Sequence, residues 1–143
     1  MRLIITEKND AARKIAGILA QGPVRQESFN KIPYYAFTDA SGEQNVIVGL
    51  KGHVVQVDFP AEYADWRKVE PRVLIDAPLI KTETAKSVVR TVRKLAQDAE
   101  SLVIATDFDR EGELIGLEAL QIAAEDNPKL LRKVRRARFS ALT

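Results

Sequence analysis

The run from Ser101 to Glu113, SLVIATDFDREGE, carries an apolar, strand-like segment straight into four carboxylates within seven residues: Asp107, Asp109, Glu111 and Glu113. Like charges a few ångströms apart repel by about 1 kcal/mol per pair in water, and by several times that where water is thinned out. Such a cluster therefore holds a cation or shares a proton. Oxygen donors suit a hard divalent ion, and Mg²⁺ in particular keeps several waters while taking one or two carboxylates plus phosphate oxygens. The alternate spacing of Asp107, Asp109 and Glu111 puts them on one side of the chain if it stays extended past the strand, with Gly112 turning it into a helix. Glu113 then begins that helix, where it is either a further metal ligand or a carboxylate favoured by the helix dipole. Helix capping or loop solvation is the plainer account of Asp107 and Asp109, but neither explains an acid at the strand end with another two residues on. Arg110 reads as a counter-ion within the cluster or a phosphate clamp, and the clamp is preferred.

Composition removes several competing chemistries. The 143 residues fit one domain with one continuous core. The absence of cysteine excludes disulfides, thiolate metal sites and cysteine nucleophiles. His53 is the only histidine, so a histidine-rich metal centre is excluded and a Ser/His/Asp triad would have to be built around it. No apolar run approaches the roughly 20 residues that span a bilayer, and Met1-Arg2 leads directly into a strand-like pattern; the expectation is a soluble, cytoplasmic protein with no membrane partner. The net charge of +2 hides an asymmetry: residues 129–143 contain Lys129, Arg132, Lys133, Arg135, Arg136 and Arg138 and no acid, so the rest is net acidic. Such a run is a solvated face or a phosphate-binding surface.

Periodicity supplies the frame. Leu3-Ile4-Ile5 reads as a buried strand ending at Glu7, and Ala12, Ile15, Ala16 and Leu19 recur at helical spacing until Gly22-Pro23, with Asn9 or Asp10 as N-cap. Strand-like segments over 32–37 and 46–50 flank the turn composition Asp39-Ala40-Ser41-Gly42, which predicts an antiparallel hairpin. Residues 58–78, with Pro60, Pro71, Pro78 and the lone Trp66, show no dominant period and read as an irregular surface connection. Thr82 or Thr84 is expected to cap a helix striped by Val88, Val92, Leu95 and Ala96. A buried helix follows the acidic loop through Leu114, Ile115, Leu117, Ala119, Leu120 and Ile122, and 134–139 predicts a last short strand. Strands separated by helices imply a mainly parallel α/β sheet, and in such sheets ligands sit beyond the carboxyl ends of the strands. Glu7 and Asp107 both occupy such ends, so they meet if their strands are neighbours.

Motif comparison narrows the choice. A Gly-x-x-x-x-Gly-Lys-Ser/Thr loop is absent, and Gly49-Leu50-Lys51-Gly52-His53 does not approximate one. A receiver-like signalling domain needs an acidic pair after its first strand, where this chain has Glu7-Lys8. A strand ending in Glu7-Lys8, followed much later by an apolar strand entering Asp107-Phe108-Asp109-Arg110-Glu111-Gly112-Glu113, closely resembles the Toprim domain of type IA DNA topoisomerases. Ile4-Ile5-Thr6-Glu7-Lys8, and Gly116 after Leu114-Ile115, look most like the archaeal topoisomerase I branch. Gly52-His53-Val54 is similar to the family's Gly-His motif, and Arg138-Phe139-Ser140-Ala141-Leu142-Thr143 to the stretch leading out of Toprim.

The resemblance implies a Rossmann-like Toprim fold, with a mainly parallel sheet flanked by helices and an antiparallel hairpin excursion. It implies that residues 1–143 form one domain at the N-terminus of a longer polypeptide, whose remaining domains are partners. It implies Glu7 as general acid and then general base, Lys8 and Arg110 as catalytic phosphate-binding groups, and Mg²⁺ on Asp107, Asp109 and Glu111. His53, Arg132, Arg135, Arg136 and Arg138 become candidate contacts to a single-stranded DNA segment. The family's nucleophile is a tyrosine in a Tyr-x-Arg-Thr-like context, and none of Tyr34, Tyr35 or Tyr63 has that context. The chain alone is therefore expected not to relax DNA. A stand-alone metal-dependent Toprim nuclease and a non-catalytic receiver are the alternatives.

Overall fold

Leu3 and Ile5 point to one face of their strand and Ile4 to the other, and all three are buried. A strand apolar on both faces needs a layer on each side, and in the computed structural model, which describes residues 1–139, it has them. The elements are β1 (Arg2–Thr6), α1 (Asn9–Leu19), β2 (Arg25–Phe29), β3 (Ile32–Thr38), β4 (Gln44–Gly49), β5 (Val55–Asp58), α2 (Pro71–Ile75), β6 (Ile80–Glu83), α3 (Lys86–Gln97), β7 (Ser101–Ala105), α4 (Arg110–Asp126) and β8 (Val134–Arg136). Helix α1 covers one face of the sheet through Ala12 and Ala16, against Ile4, Tyr35 and Ile47. Helices α3 and α4 cover the other through Val88, Val92, Ile115 and Ile122, against Leu3, Ile5 and Val48.

The main sheet has six strands in the order β2-β3-β4-β1-β7-β8. Strand β1 pairs parallel with β4 and β7, and β7 pairs parallel with β8, whereas β2-β3 and β3-β4 are antiparallel. This is the expected α/β sheet with its hairpin excursion. The β3-β4 turn is closed by Asp39, whose carboxylate accepts from the backbone N–H groups of Ser41 and Glu43. Hydrogen bonds from Ser41 and Asn45 hold that carboxyl well below its ordinary pKa. In register, Thr6 stands between Gly49 and Ala105, so three parallel strands end at one edge of the sheet.

The structure corrects several local expectations. Neither Asn9 nor Asp10 caps α1: the helix begins at Asn9, and extended Lys8 precedes it without a side-chain cap. Neither Thr82 nor Thr84 caps α3, because Thr82 lies in β6 and Ala85, in the left-handed region at φ 46°, leads into the helix. Residues 58–78 contain a 3-10 turn, Ala61–Tyr63, and the short α2, neither with a buried residue. Strands β5 and β6 pair antiparallel as a separate two-stranded sheet around that stretch. The last strand is shorter than expected, Val134–Arg136, and residues 140–143 of the 138–143 motif lie outside the described residues.

Candidate active site

Glu7 is the first residue past β1 and Asp107 the second past β7, so the adjacency of these strands brings together residues a hundred positions apart. Glu7 is only 8 % exposed, and its Oε2 accepts a hydrogen bond of 3.3 Å from the backbone N–H of Asp107. Burial raises the pKa of Glu7, and the negative charges of Asp107 and Asp109 push it further the same way. The Asp107 N–H opposes that shift without cancelling it.

Two close backbone approaches fix this geometry. A Cβ on Gly49 would stand 2.4 Å from the backbone nitrogen of Asn9, so only glycine lets the end of β4 pack against the Lys8-Asn9 turn. A Cβ on Gly112 would stand 2.0 Å from the carbonyl oxygen of Asp107, which seats the first turn of α4 directly on the acidic loop. Buried Thr106 completes the fastening by donating its hydroxyl to the Gly112 carbonyl at 2.7 Å. Glu7, Lys8, Glu111 and residues 49–52 line an open cleft of about 420 Å³ on this edge.

The acidic segment is not extended through Glu111, as alternate spacing had suggested. Asp109 is the N-cap of α4, accepting from the Gly112 N–H at 2.7 Å, and the helix starts at Arg110 rather than Glu113. Glu111 is thereby turned away to His53, whose Nε2 lies 3.4 Å from its Oε1. Glu113 pairs instead with Arg136, at 2.7 Å, in the first turn of α4. Among the described residues no three acidic or histidine side chains stand close enough together to cage a metal. The negative charges of Asp107 and Asp109 both act on Glu7, so these two carboxylates lie near it.

The basic candidates separate into two groups. Lys8 and Arg110 are exposed and form no ion pair or side-chain hydrogen bond among the described residues. Arg138 lies over the exposed ring of Phe108, with its guanidinium carbon 5.2 Å from the ring centre. Arg136 is committed to the fold: it donates to the carbonyls of Asp107 at 2.9 Å and Ile104 at 3.3 Å besides pairing with Glu113. Arg132 and Arg135 do not line the cleft of Glu7, Lys8 and Glu111, although Arg135 shares another, of about 280 Å³, with Glu113. Both arginines line a cleft of about 380 Å³ with Arg2, Glu43 and Ser101, by the amino-terminal ends of β7 and β8. Of the tyrosines, Tyr34 donates its hydroxyl to Glu27 at 2.9 Å and Tyr35 to Asn9 at 3.2 Å.

One charged residue escaped the sequence reading. Glu118, on the buried stripe of α4, accepts from the Val54 N–H at 3.3 Å and lies 3.2 Å from His53 Nδ1. The available signal was an acid set among Ile115, Ala119 and Ile122 on a core-facing helix.

Comparison with known proteins agrees with the geometry. The Toprim domain family model matches residues 2–142. DNA topoisomerase 1 of Thermoplasma acidophilum is 42% identical over 142 residues, covering 99% of this chain and 18% of the relative. DNA topoisomerase 1 of Archaeoglobus fulgidus is 41% identical, with 99% and 20% covered, and human DNA topoisomerase 3-alpha is 37% identical, with 99% and 15% covered. The chain thus spans a fifth or less of the length of these relatives. With a family match along nearly its whole length, and its strand-end glutamate set against the acidic loop, the chain belongs to the Toprim domain family.

Proposed function

We propose that this chain acts as the Toprim domain of a type IA DNA topoisomerase, supplying the acid–base glutamate and a magnesium site for cleavage and religation of one DNA strand. The observation that carries the reading is Glu7: a carboxyl with a raised pKa, at the rim of a cleft, beside the acidic loop. A protonated carboxyl is what departure of an alkoxide requires. When a tyrosine elsewhere in the longer protein, its hydroxyl proton given up to water, attacks the backbone phosphorus as phenolate, the phosphorus–O3′ bond breaks and the proton on Glu7 goes to the leaving 3′ oxygen. On religation Glu7 takes that proton back as the 3′-hydroxyl attacks and the tyrosine leaves, so no ATP is consumed.

Lys8 lies next to Glu7 on the cleft and neutralises charge developing on the scissile phosphate, a type of preorganised contact worth roughly 3 to 4 kcal/mol. Exposed Arg110, and Arg138 over the Phe108 ring, clamp neighbouring phosphates in this reading. Asp107, Asp109 and Glu111 would hold Mg²⁺, which when bound would order the DNA backbone and offset the site's negative charge. A cytoplasmic location fits this reading, and no helix among the described residues is long and apolar enough to cross a membrane.

The test uses labelled single-stranded DNA with the chain alone and with the longer polypeptide. The chain alone binds DNA more tightly with Mg²⁺ than without and leaves it uncut; cutting by the chain alone identifies an independent nuclease and overturns the reading. In the longer polypeptide, Glu7→Gln lowers the cleavage rate by about 10²- to 10⁴-fold, the span typical of a lost general acid. An unchanged rate contradicts the role of Glu7.

A further inference from the structure

A carboxylate on the core-facing side of a helix is costly unless donors surround it, so its partners show what it is kept for. Glu118 occupies such a position on α4, and its partners lie not on α4 but in the segment leaving the cleft: the backbone N–H of Val54 and Nδ1 of His53. The same imidazole turns Nε2 outward, 3.4 Å from Glu111, which also lines the cleft. His53 itself is 40 % exposed at its side chain, whereas that of Glu118 is 11 % exposed. One buried and one exposed carboxylate thus face the two nitrogens of a single ring.

We propose that Glu118 is a positioning residue: by accepting the Nδ1 proton of His53 and the Val54 N–H, it holds the ring so that Nε2, protonated as well when the strand is bound, donates its N–H at the cleft to a phosphate oxygen of the bound single strand. The ligand in this assignment rests on the function proposed above, whereas the Glu118–His53 link rests on geometry alone. A carboxylate on one imidazole nitrogen fixes the ring orientation, and in the imidazolium both nitrogens are donors, so the other presents an N–H to an anion. The anchor is bidentate, one carboxylate taking two donors. A glutamine at 118 has one acceptor oxygen for both and turns an N–H₂ group towards one of them. The Thr84 hydroxyl, donating to the His53 carbonyl at 3.1 Å, restrains the backbone but not the ring.

The experiment compares the wild-type chain with Glu118→Gln, Glu118→Asp, His53→Ala and the Glu118→Gln/His53→Ala double variant. Long-range ¹H–¹⁵N spectra of His53 are recorded at fixed pH, and binding of a labelled single-stranded oligonucleotide is measured in Mg²⁺. Wild type shows a protonated, hydrogen-bonded Nδ1. Glu118→Gln shifts that resonance and weakens oligonucleotide binding by about threefold to tenfold, the range of one lost hydrogen bond. Glu118→Asp recovers part of the loss, and the double variant binds no more weakly than His53→Ala alone, because Glu118 acts only through His53. Additive losses, or an unmoved Nδ1 signal in Glu118→Gln, overturn the proposal. If wild type binds no single strand while its Nδ1 signal still responds to Glu118→Gln, the proposed function falls and the Glu118–His53 link stands.

Discussion

Glu7 sits where its own charge is disfavoured, and that has a consequence for stability as well as for chemistry. Burial and two neighbouring aspartates raise its pKa in the folded state, so the folded protein binds this proton more tightly than the unfolded chain does. The associated stability is fully present below the ordinary glutamate range and is lost as pH rises through the raised value. Glu7→Gln removes that loss: urea midpoints measured from about pH 4 to about pH 8 should find the variant more stable than wild type at the neutral end and level with it at the acid end. Asp109 caps α4 and, in the proposed function, also holds Mg²⁺; two substitutions separate the two roles. Asp109→Ala removes the cap on Gly112 and costs about 1 kcal/mol, whereas Asp109→Asn keeps a capping oxygen and nearly all the stability. Both should weaken Mg²⁺ binding, measured by titration calorimetry, because both remove the charge. An Asp109→Asn variant with full magnesium affinity would assign Asp109 to the helix alone.

Among the elements, the short β8 is fastened by a side chain. Arg136 bonds the carbonyls of Ile104 and Asp107 and pairs with Glu113, so it ties β7, the acidic loop and α4 together. Arg136→Ala should lower stability by about 1 to 3 kcal/mol, the usual result when partly buried acceptors lose a charged donor, as read by chemical denaturation. Strands β1 and β7 were legible in the sequence because burial on both faces leaves an unbroken apolar run, and β3-β4 because a turn composition separates two apolar runs. Strand β2, RQESF, was not: it is an edge strand with four exposed residues, so its pairing rests on backbone hydrogen bonds that no side-chain period records. Strands β5 and β6 were missed for the same reason. The helix start was misplaced from Arg110 to Glu113 because alternate acids look alike whether the chain runs extended or caps a helix. The meeting of Glu7 with Asp107 was legible only conditionally, since sequence gives strand ends but not strand order.

At the scale of the whole molecule, the parallel arrangement of β4, β1, β7 and β8 sorts the charges by end. The carboxylates, Lys8, His53, Arg110 and Arg138 gather where β1, β4 and β7 finish, while Arg132 and Arg135 line the other end. Neutralising Arg110 and Arg138 should lower the salt slope of single-strand binding by about 1.4, roughly 0.7 per phosphate contact, and neutralising Arg132 and Arg135 should leave it unchanged. The most direct measurement of the central claim is a magnesium titration of the chain followed by NMR of the Glu7, Asp107 and Asp109 signals together. The three should move along one common binding curve, with the Glu7 carboxyl pKa falling as the ion offsets the neighbouring negative charge. Signals of Asp107 and Asp109 that stay fixed, or shift while Glu7 does not, would contradict a shared site at these strand ends.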